Sequence, residues 1–146
     1  MSKRILIVDD EPSIVVPLQF LMQQNGFETS LAFTGEEAME TIAEKTPDLI
    51  ILDIMLPIID GYEVCQRVRE NPQWNNIRII LLSALGGDAN VAKGMALGAD
   101  AYITKPYSNE EVTEKVKWLL KQKAWKEGIN SGSLYLPELL LLFLSL

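Results

Sequence analysis

The chain alternates short apolar runs with longer segments whose apolar residues recur at helical spacing. The runs predict five β-strands, at residues 4–8, 27–33, 49–52, 77–82 and 101–104. The intervening segments predict five helices, at residues 12–25, 35–45, 61–70, 88–97 and 109–125. Two of the strands are almost wholly apolar, 49–52 throughout and 77–82 except for Arg78, which is the pattern of a strand buried on both faces of a sheet.

The regular order of strand and helix, with short connections, predicts the fold class. An α/β protein with this pattern forms a doubly wound, five-stranded parallel sheet with right-handed crossovers and helices on both faces. We expect the strand order 2-1-3-4-5, in which strands one and three are neighbours at the point where the order reverses. The length of 146 residues suits one compact domain with a short extension.

Residues at the helix ends support these boundaries. Thr34 with Glu37, and Ser108 with Glu111, have the spacing of capping boxes at the starts of the second and fifth helices. Pro17 is the exception, because a proline inside a helix removes a backbone hydrogen bond and costs roughly 3 kcal/mol. We therefore expect a kink at Pro17 or a first helix that begins late.

Polar residues stand at the carboxyl ends of four of the predicted strands. Asp9 and Asp10 follow the first, Asp53 the third, Ser83 the fourth and Lys105 the fifth. Three carboxylates should converge where strands one and three adjoin, and they would raise one another's pKa unless a cation intervenes. Oxygen ligands favour Mg²⁺, for which Mn²⁺ could substitute. Asp10 is expected to bind the ion directly, and Asp9 directly or through water.

This set of groups suits phosphoryl transfer. The Asp53 carboxylate can attack a phosphoryl group and become an aspartyl phosphate, with Asp53 itself also touching the metal. The ammonium of Lys105 and the ion neutralise the phosphoryl oxygens, and the Ser83 hydroxyl can donate a hydrogen bond to one of them. The backbone carbonyl of Met55 is expected to supply a further oxygen to the ion.

Four motifs carry a resemblance to a known family. In its order and spacing over residues 3 to about 124, the chain resembles the bacterial response-regulator receiver domain, the flavodoxin-like phosphoacceptor part of two-component signalling. The motifs are residues 5–12, residues 52–57 with 60–61, residues 82–84 and residues 98–106.

The resemblance implies partners and further roles. Such domains are regulatory rather than enzymatic, and they take phosphate from the phosphohistidine of a sensor histidine kinase or a histidine phosphotransfer protein. Ser83 and Tyr102 match the family's switch pair, and the peptide bond before Pro106 is expected to be cis. Phosphorylation would remodel the face made by the fourth helix, fifth strand and fifth helix, through which such domains can also form homodimers.

Composition limits the alternatives. The net charge of −7 argues against a nucleic-acid surface. The absence of histidine excludes a histidine base, histidine metal ligands and a phosphohistidine on this chain. The single cysteine, Cys65, permits no internal disulfide and is expected to be a small buried apolar residue. Without a leader-like segment before the first strand, we expect a cytoplasmic protein with no membrane association.

Three rival functions deserve comparison. A receiver-like module that binds partners without phosphorylation is disfavoured, because the acidic pair, Asp53, Ser83 and Lys105 are all present. A phosphatase with an aspartate nucleophile would need a second acid two residues later as its general acid. This chain has Met55 there, which disfavours the phosphatase. A flavin carrier would need a phosphate-binding loop after the first strand. This chain has the acidic sequence Asp-Asp-Glu-Pro there, which disfavours a flavin carrier.

The last part of the chain differs from the rest. We assign residues 1–125 to the receiver-like domain and residues 126–146 to a linker and an apolar tail. The tail is shorter than the ~20 residues that a membrane span needs. It is either a read-through artefact or an interaction segment, buried in a partner subunit or against the domain. No pattern of an output domain follows, so we expect a stand-alone domain or a fragment of a longer protein.

Overall fold

Five parallel strands form the centre of the computed structural model, which describes the backbone of residues 2–130 and the side chains of residues 2–121. The strands lie in the order β2-β1-β3-β4-β5, so the predicted fold class and strand order are confirmed. The elements are β1 (Arg4–Val8), α1 (Pro12–Gln24), β2 (Glu28–Ala32), α2 (Gly35–Glu44), β3 (Leu49–Asp53), α3 (Gly61–Glu70), β4 (Arg78–Ser83), α4 (Asp88–Ala96), β5 (Ala101–Thr104) and α5 (Asn109–Asn130).

The helices cover the sheet on both faces because successive strand residues point to opposite sides. Helices α1 and α5 pack on one face, and α2 and α3 pack on the other. Gly94 of α4 lies against Leu81 on the face that holds α2 and α3. Both central strands, β3 and β4, are buried along their whole length, as their largely apolar sequences predict. Cys65 of α3 points into the core and is buried, also as predicted.

Strand register brings the polar strand ends level with one another. Val8 of β1 pairs with Leu52 of β3, so Asp9, which follows β1, and Asp53, the last residue of β3, reach the same edge of the sheet. Asp53 in turn pairs with Leu82 of β4. The carboxyl edge of the sheet therefore gathers the polar residues that sequence analysis singled out.

One helix boundary differs from expectation, and a proline lies inside another helix. Helix α1 begins at Pro12, as the predicted range 12–25 has it, so of the two expected consequences of Pro17 the late start does not occur. Pro17 lies inside the helix on its exposed side, where water can donate a hydrogen bond to the freed Ser13 carbonyl. Helix α5 runs to Asn130 and so includes residues 126–130, which the sequence assigned to the linker. One glycine costs a helix only about 1 kcal/mol, so Gly128 does not by itself end it.

The remaining residues, 131–146, contain the predicted apolar tail and lie outside the described part of the chain. Among the described residues, no helix has the length and apolar character that crossing a bilayer requires.

Candidate functional site

Three carboxylates converge at the carboxyl edge of the sheet. Asp9, Asp10 and Asp53 each offer one oxygen, and these oxygens lie within 4.8 Å of one another. Asp9 and Asp53 are buried, with 1% and 4% of their surface exposed, whereas Asp10 is exposed. The site is therefore acidic at its base and open to solvent on the side of Asp10.

Lys105 closes the site from β5. Its Nζ lies 3.0 Å from Oδ2 of Asp9 and 3.7 Å from Oδ1 of Asp53. The backbone N–H of Lys105 donates to the Ser83 carbonyl at 2.8 Å, which fixes the end of β5 against β4. The peptide bond between Lys105 and Pro106 is cis, the geometry that the resemblance implies. The single ammonium of Lys105 thus forms ion pairs with two buried carboxylates.

Hydrogen bonds orient both buried acids. Oδ1 of Asp9 accepts the backbone N–H of Glu11 at 2.9 Å, while its Oδ2 faces Lys105. Asp53 accepts the backbone N–H of Met55, in the loop that follows β3. These bonds hold the two carboxylates in fixed positions at the strand ends.

Burial and like charge govern the ionisation of the site. Burial raises the pKa of Asp53, and the neighbouring Asp9 raises it further; Lys105 and the Met55 N–H oppose them without cancelling the rise. Burial by itself would lower the pKa of Lys105, but its hydrogen bond to Asp9 and the charge of Asp53 outweigh burial and raise that pKa. Lys105 therefore stays protonated, and the ionised Asp53 lacks full compensation from the protein.

The donor set fits a hard divalent cation. Three carboxylate oxygens within 4.8 Å are the ligands that Mg²⁺ and Mn²⁺ prefer, and the surplus of negative charge over the one ammonium favours a cation. Met55 lies two residues after Asp53, which places its backbone in the loop beside the cluster.

Ser83 and Tyr102 each form a hydrogen bond to the backbone of Leu85. Ser83 is fully buried at the end of β4, and its Oγ accepts the Leu85 N–H at 3.2 Å. The Tyr102 hydroxyl donates to the Leu85 carbonyl. Its ring is half-buried and faces Gly94 of α4, and burial raises the pKa of the phenol. The two residues of the implied switch pair are thus connected to one loop.

Gly61 is a site residue that the sequence offered as a helix start and as part of a family motif, without a role of its own. A Cβ there would overlap with the Asp53 carbonyl and lie 2.7 Å from the Ile54 Cα. The Gly61 N–H donates to the Ile54 carbonyl at 2.9 Å. The Asp60 side chain caps α3 by accepting the Glu63 N–H, but the close approach of the Gly61 backbone to that of Asp53 is a tertiary feature that no local pattern reveals.

A family model matches most of the chain. Residues 5–117 match the model described as the response regulator receiver domain. This range contains every residue of the site described above.

Relatives and a solved structure agree with that match. The chain is 43% identical over 122 residues to the alkaline phosphatase synthesis transcriptional regulatory protein PhoP of Bacillus subtilis (strain 168), covering 84% of this chain and 50% of PhoP. It is 38% identical over 122 residues to the phosphate regulon transcriptional regulatory protein PhoB of Rhizobium meliloti (strain 1021), covering 84% and 54%. A CheY-like response regulator receiver domain protein from Methanospirillum hungatei JF-1 superposes with a TM-score of 0.80 at 28% identity, covering 86% of this chain and 99% of that one. The chain spans about half the length of the two curated relatives.

Proposed function

Since the chain belongs to the response regulator receiver domain family of two-component systems, we propose that Asp53 accepts a phosphoryl group from a partner's phosphohistidine. The partner is a sensor histidine kinase or a histidine phosphotransfer protein. One observation supports this most strongly, namely the convergence of Asp9, Asp10 and Lys105 on the buried Asp53 carboxylate. The phosphorylated and unphosphorylated forms then differ in the proteins that they contact, so the chain is regulatory rather than an enzyme.

The transfer step exchanges one bond for another. An oxygen of the Asp53 carboxylate attacks the phosphorus, an O–P bond forms, and the N–P bond to the donor imidazole breaks. The released imidazole nitrogen takes a proton from solvent. Lys105, which stays charged, offers its ammonium to the phosphoryl oxygens, and Asp9 holds that ammonium in place.

Asp9, Asp10 and Asp53 would hold Mg²⁺ or Mn²⁺, and we propose the Met55 backbone carbonyl as a further oxygen ligand. When bound, such an ion would supply positive charge that offsets the negative charge of the phosphoryl oxygens. The charge surplus of the cluster supports this assignment.

Ser83 and Tyr102 are proposed to transmit the change. The Ser83 hydroxyl would donate to the phosphoryl group, and the loop at Leu85 would move with it, because Ser83 and Tyr102 both bond to the Leu85 backbone. A shift there would alter the face made by α4, β5 and α5, which is the proposed surface for partner proteins and for a homodimer. Phosphorylation would then favour one of two packings of that face.

We further propose a cytoplasmic location and contacts with proteins rather than nucleic acid or membrane. The net charge of −7 supports the absence of nucleic-acid binding. A receiver-like module that acts without phosphorylation is the alternative, and the complete set of site residues disfavours it.

Small-molecule phosphorylation tests the proposal. The chain is incubated with acetyl phosphate and Mg²⁺, and intact mass is measured for the wild type, for Asp53→Asn and for the control Asp88→Asn, which changes an exposed acid at the start of α4. We expect one added phosphoryl group on the wild type and the control, none on Asp53→Asn, and none when EDTA removes the metal. No mass gain on the wild type, or an equal gain on Asp53→Asn, contradicts the proposal.

A further inference from the structure

Helix α4 has little apolar packing against the rest of the domain. Of its nine residues only Gly94 is buried, and glycine has no side chain to pack. In the part of the chain that the structure describes, α1, α2, α3 and α5 each bury at least three residues. Leu97, which follows α4, packs against the core, but the helix itself depends largely on polar contacts for its position.

Three donors along one side of α3 reach backbone carbonyls of α4 and of the turn after it. They pair Tyr62 with Asn90, Cys65 with Leu97 and Arg69 with Gly98. The three distances are 3.2, 3.6 and 2.8 Å, in that order. Spacings of three and four residues place the donors on one face of α3. This set of bonds, here called the α3 seam, ties both ends of α4 to α3.

Tyr62 makes the seam contacts at the start of α4. Its hydroxyl donates to the Asn90 carbonyl, and its ring lies under the ammonium of Lys93, whose Nζ is 4.3 Å from the ring centroid. Tyr62 is 8% exposed, so little water competes for its hydrogen bond. It directly follows Gly61, whose backbone lies against that of Asp53. The residue that holds the start of α4 is therefore fixed to the backbone of the central acid.

The first turn of α4 is also joined to the loop that follows β4. The Asn90 Nδ2 donates to the Gly86 carbonyl at 2.8 Å, and the Tyr102 hydroxyl donates to the Leu85 carbonyl in the same loop. Burial, and after it the neighbouring Tyr62 hydroxyl, raise the pKa of the Tyr102 phenol, which shows that the two hydroxyls are close. The start of α4 is thus bonded to the loop on one side and to α3 on the other.

We propose that the Tyr62 hydroxyl fastens the first turn of α4 to α3 and thereby opposes the packing of α4 that phosphorylation favours. The inference rests on the proposed function, in which Ser83 and the loop at Leu85 move toward the phosphoryl group. Because Asn90 joins α4 to that loop, the same motion draws the Asn90 carbonyl away from Tyr62. A hydrogen bond made in only one of two packings shifts the equilibrium between them by its net contribution.

Hydrogen exchange, measured by mass spectrometry, tests the attachment without any phosphoryl group. Tyr62→Phe keeps the ring and its contact with Lys93 but removes the hydroxyl. We expect the amides of α4 to exchange about fivefold faster, which is the net effect of one lost hydrogen bond, while those of β1 and β3 keep their rates. Arg67→Gln is the matched control, because it removes an ion pair with Glu63 from the exposed side of α3 and should leave α4 unchanged. Unchanged exchange in α4, or an equal increase throughout the domain, overturns the inference.

Beryllofluoride, a stable mimic of a phosphoryl group on an aspartate, tests the coupling to the site. Binding with Mg²⁺ is followed by ¹⁹F NMR for the wild type, Tyr62→Phe and Arg67→Gln. We expect Kd to be about threefold lower for Tyr62→Phe than for the wild type, and unchanged for Arg67→Gln. In the Ser83→Ala background, Tyr62→Phe should no longer alter Kd, because the loop then does not follow the phosphoryl group.

The outcomes separate this inference from the proposed function. If the wild type binds beryllofluoride and Tyr62→Phe has an equal or a higher Kd, only the inference fails. It also fails if Tyr62→Phe lowers Kd as much in the Ser83→Ala background, because the effect then takes another route. If the wild type does not bind beryllofluoride, the proposed function itself fails.

Discussion

At the scale of single residues, the site is a balance between buried charges. Asp9 and Asp53 share one ammonium, that of Lys105, at 3.0 and 3.7 Å. Two buried carboxylates with one cation leave a charge uncompensated, which is why the pKa of Asp53 rises through burial and through Asp9. The same imbalance that destabilises the fold is what would favour the binding of a divalent ion at the proposed site.

Removing the charge of the Asp53 side chain should stabilise the metal-free protein. An acid whose pKa is raised in the folded state stabilises the fold below its unfolded pKa of 3.8, and that contribution is lost as the pH rises through the folded pKa. At pH 7 the ionised Asp53 is therefore unfavourable, and Asp53→Asn should raise the melting temperature in EDTA by about 2–5 °C, or ~1 kcal/mol. Thermal unfolding at pH 7 and at pH 4.5 measures this, and the difference should shrink at the lower pH.

Glu40→Gln is the control, because Glu40 is an exposed acid of α2. It removes the same formal charge without touching the cluster and should leave the melting temperature within about a degree. A lower melting temperature for Asp53→Asn than for the wild type at pH 7 would show that the protein already compensates the buried charge.

At the scale of elements, the loop between β3 and α3 is held by close backbone approaches. Gly61 begins α3 directly against the backbone of Asp53 and Ile54, and Gly35 begins α2 against the Ile59 carbonyl. A side chain at either glycine would push the loop away from its neighbour. The position of Asp53 therefore depends on two helix starts as well as on β3 itself.

Gly61→Ala should disturb both stability and phosphorylation. The added methyl overlaps with the Asp53 carbonyl, so we expect a loss of about 1–3 kcal/mol in the free energy of unfolding. Phosphorylation by acetyl phosphate should slow as well, because the acceptor moves with its backbone. Urea unfolding and intact mass over time give the two measurements.

Gly86→Ala provides the comparison. A Cβ at Gly86 would lie 3.5 Å from Thr104 Cγ2, an ordinary contact, and Gly86 is not among the glycines with positive φ. Its stability should change by no more than about 0.5 kcal/mol. If both variants lose the same stability, overlap with the Asp53 backbone is not the cause.

At the scale of the whole molecule, the sheet joins distant parts of the chain into one site. Two apolar layers, one between the sheet and α1 with α5 and one between the sheet and α2 with α3, fix the five strands in parallel. The carboxyl ends of β1, β3 and β5 then present Asp9, Asp53 and Lys105 together. Because these residues meet only in the folded state, anything that binds the cluster should stabilise the entire domain.

Mg²⁺ should therefore raise the stability of the folded chain. Once the concentration exceeds the dissociation constant, each further tenfold increase adds about 1.4 kcal/mol to the free energy of unfolding. Asp10→Asn removes a cluster carboxylate and should weaken this response, whereas Glu40→Gln should retain it. Thermal unfolding over a series of MgCl₂ concentrations, with NaCl at matched ionic strength, measures the effect; an equal response to NaCl would argue against a specific ion site.

The sequence by itself determined the order of strands and helices and the polar residues that follow the strands. Buried strands require continuous apolar runs, as at residues 49–52, and helix starts require capping side chains, as at Thr34, whose Oγ1 accepts the Glu37 N–H. These requirements involve residues close together in the chain, so they can be predicted from the sequence. The resemblance of four motifs to a receiver domain added the implied roles of Ser83, Tyr102 and Pro106.

Only the tertiary structure decided how residues far apart in the chain meet. The distance between Lys105 and Asp9, the overlap that makes Gly61 necessary and the left-handed backbone of Ile58 all depend on how separate elements approach one another. The local pattern also did not predict that α5 extends to Asn130, because a single glycine does not determine where a helix ends. Periodicity and capping act over a few residues, whereas these features arise from packing across the sheet.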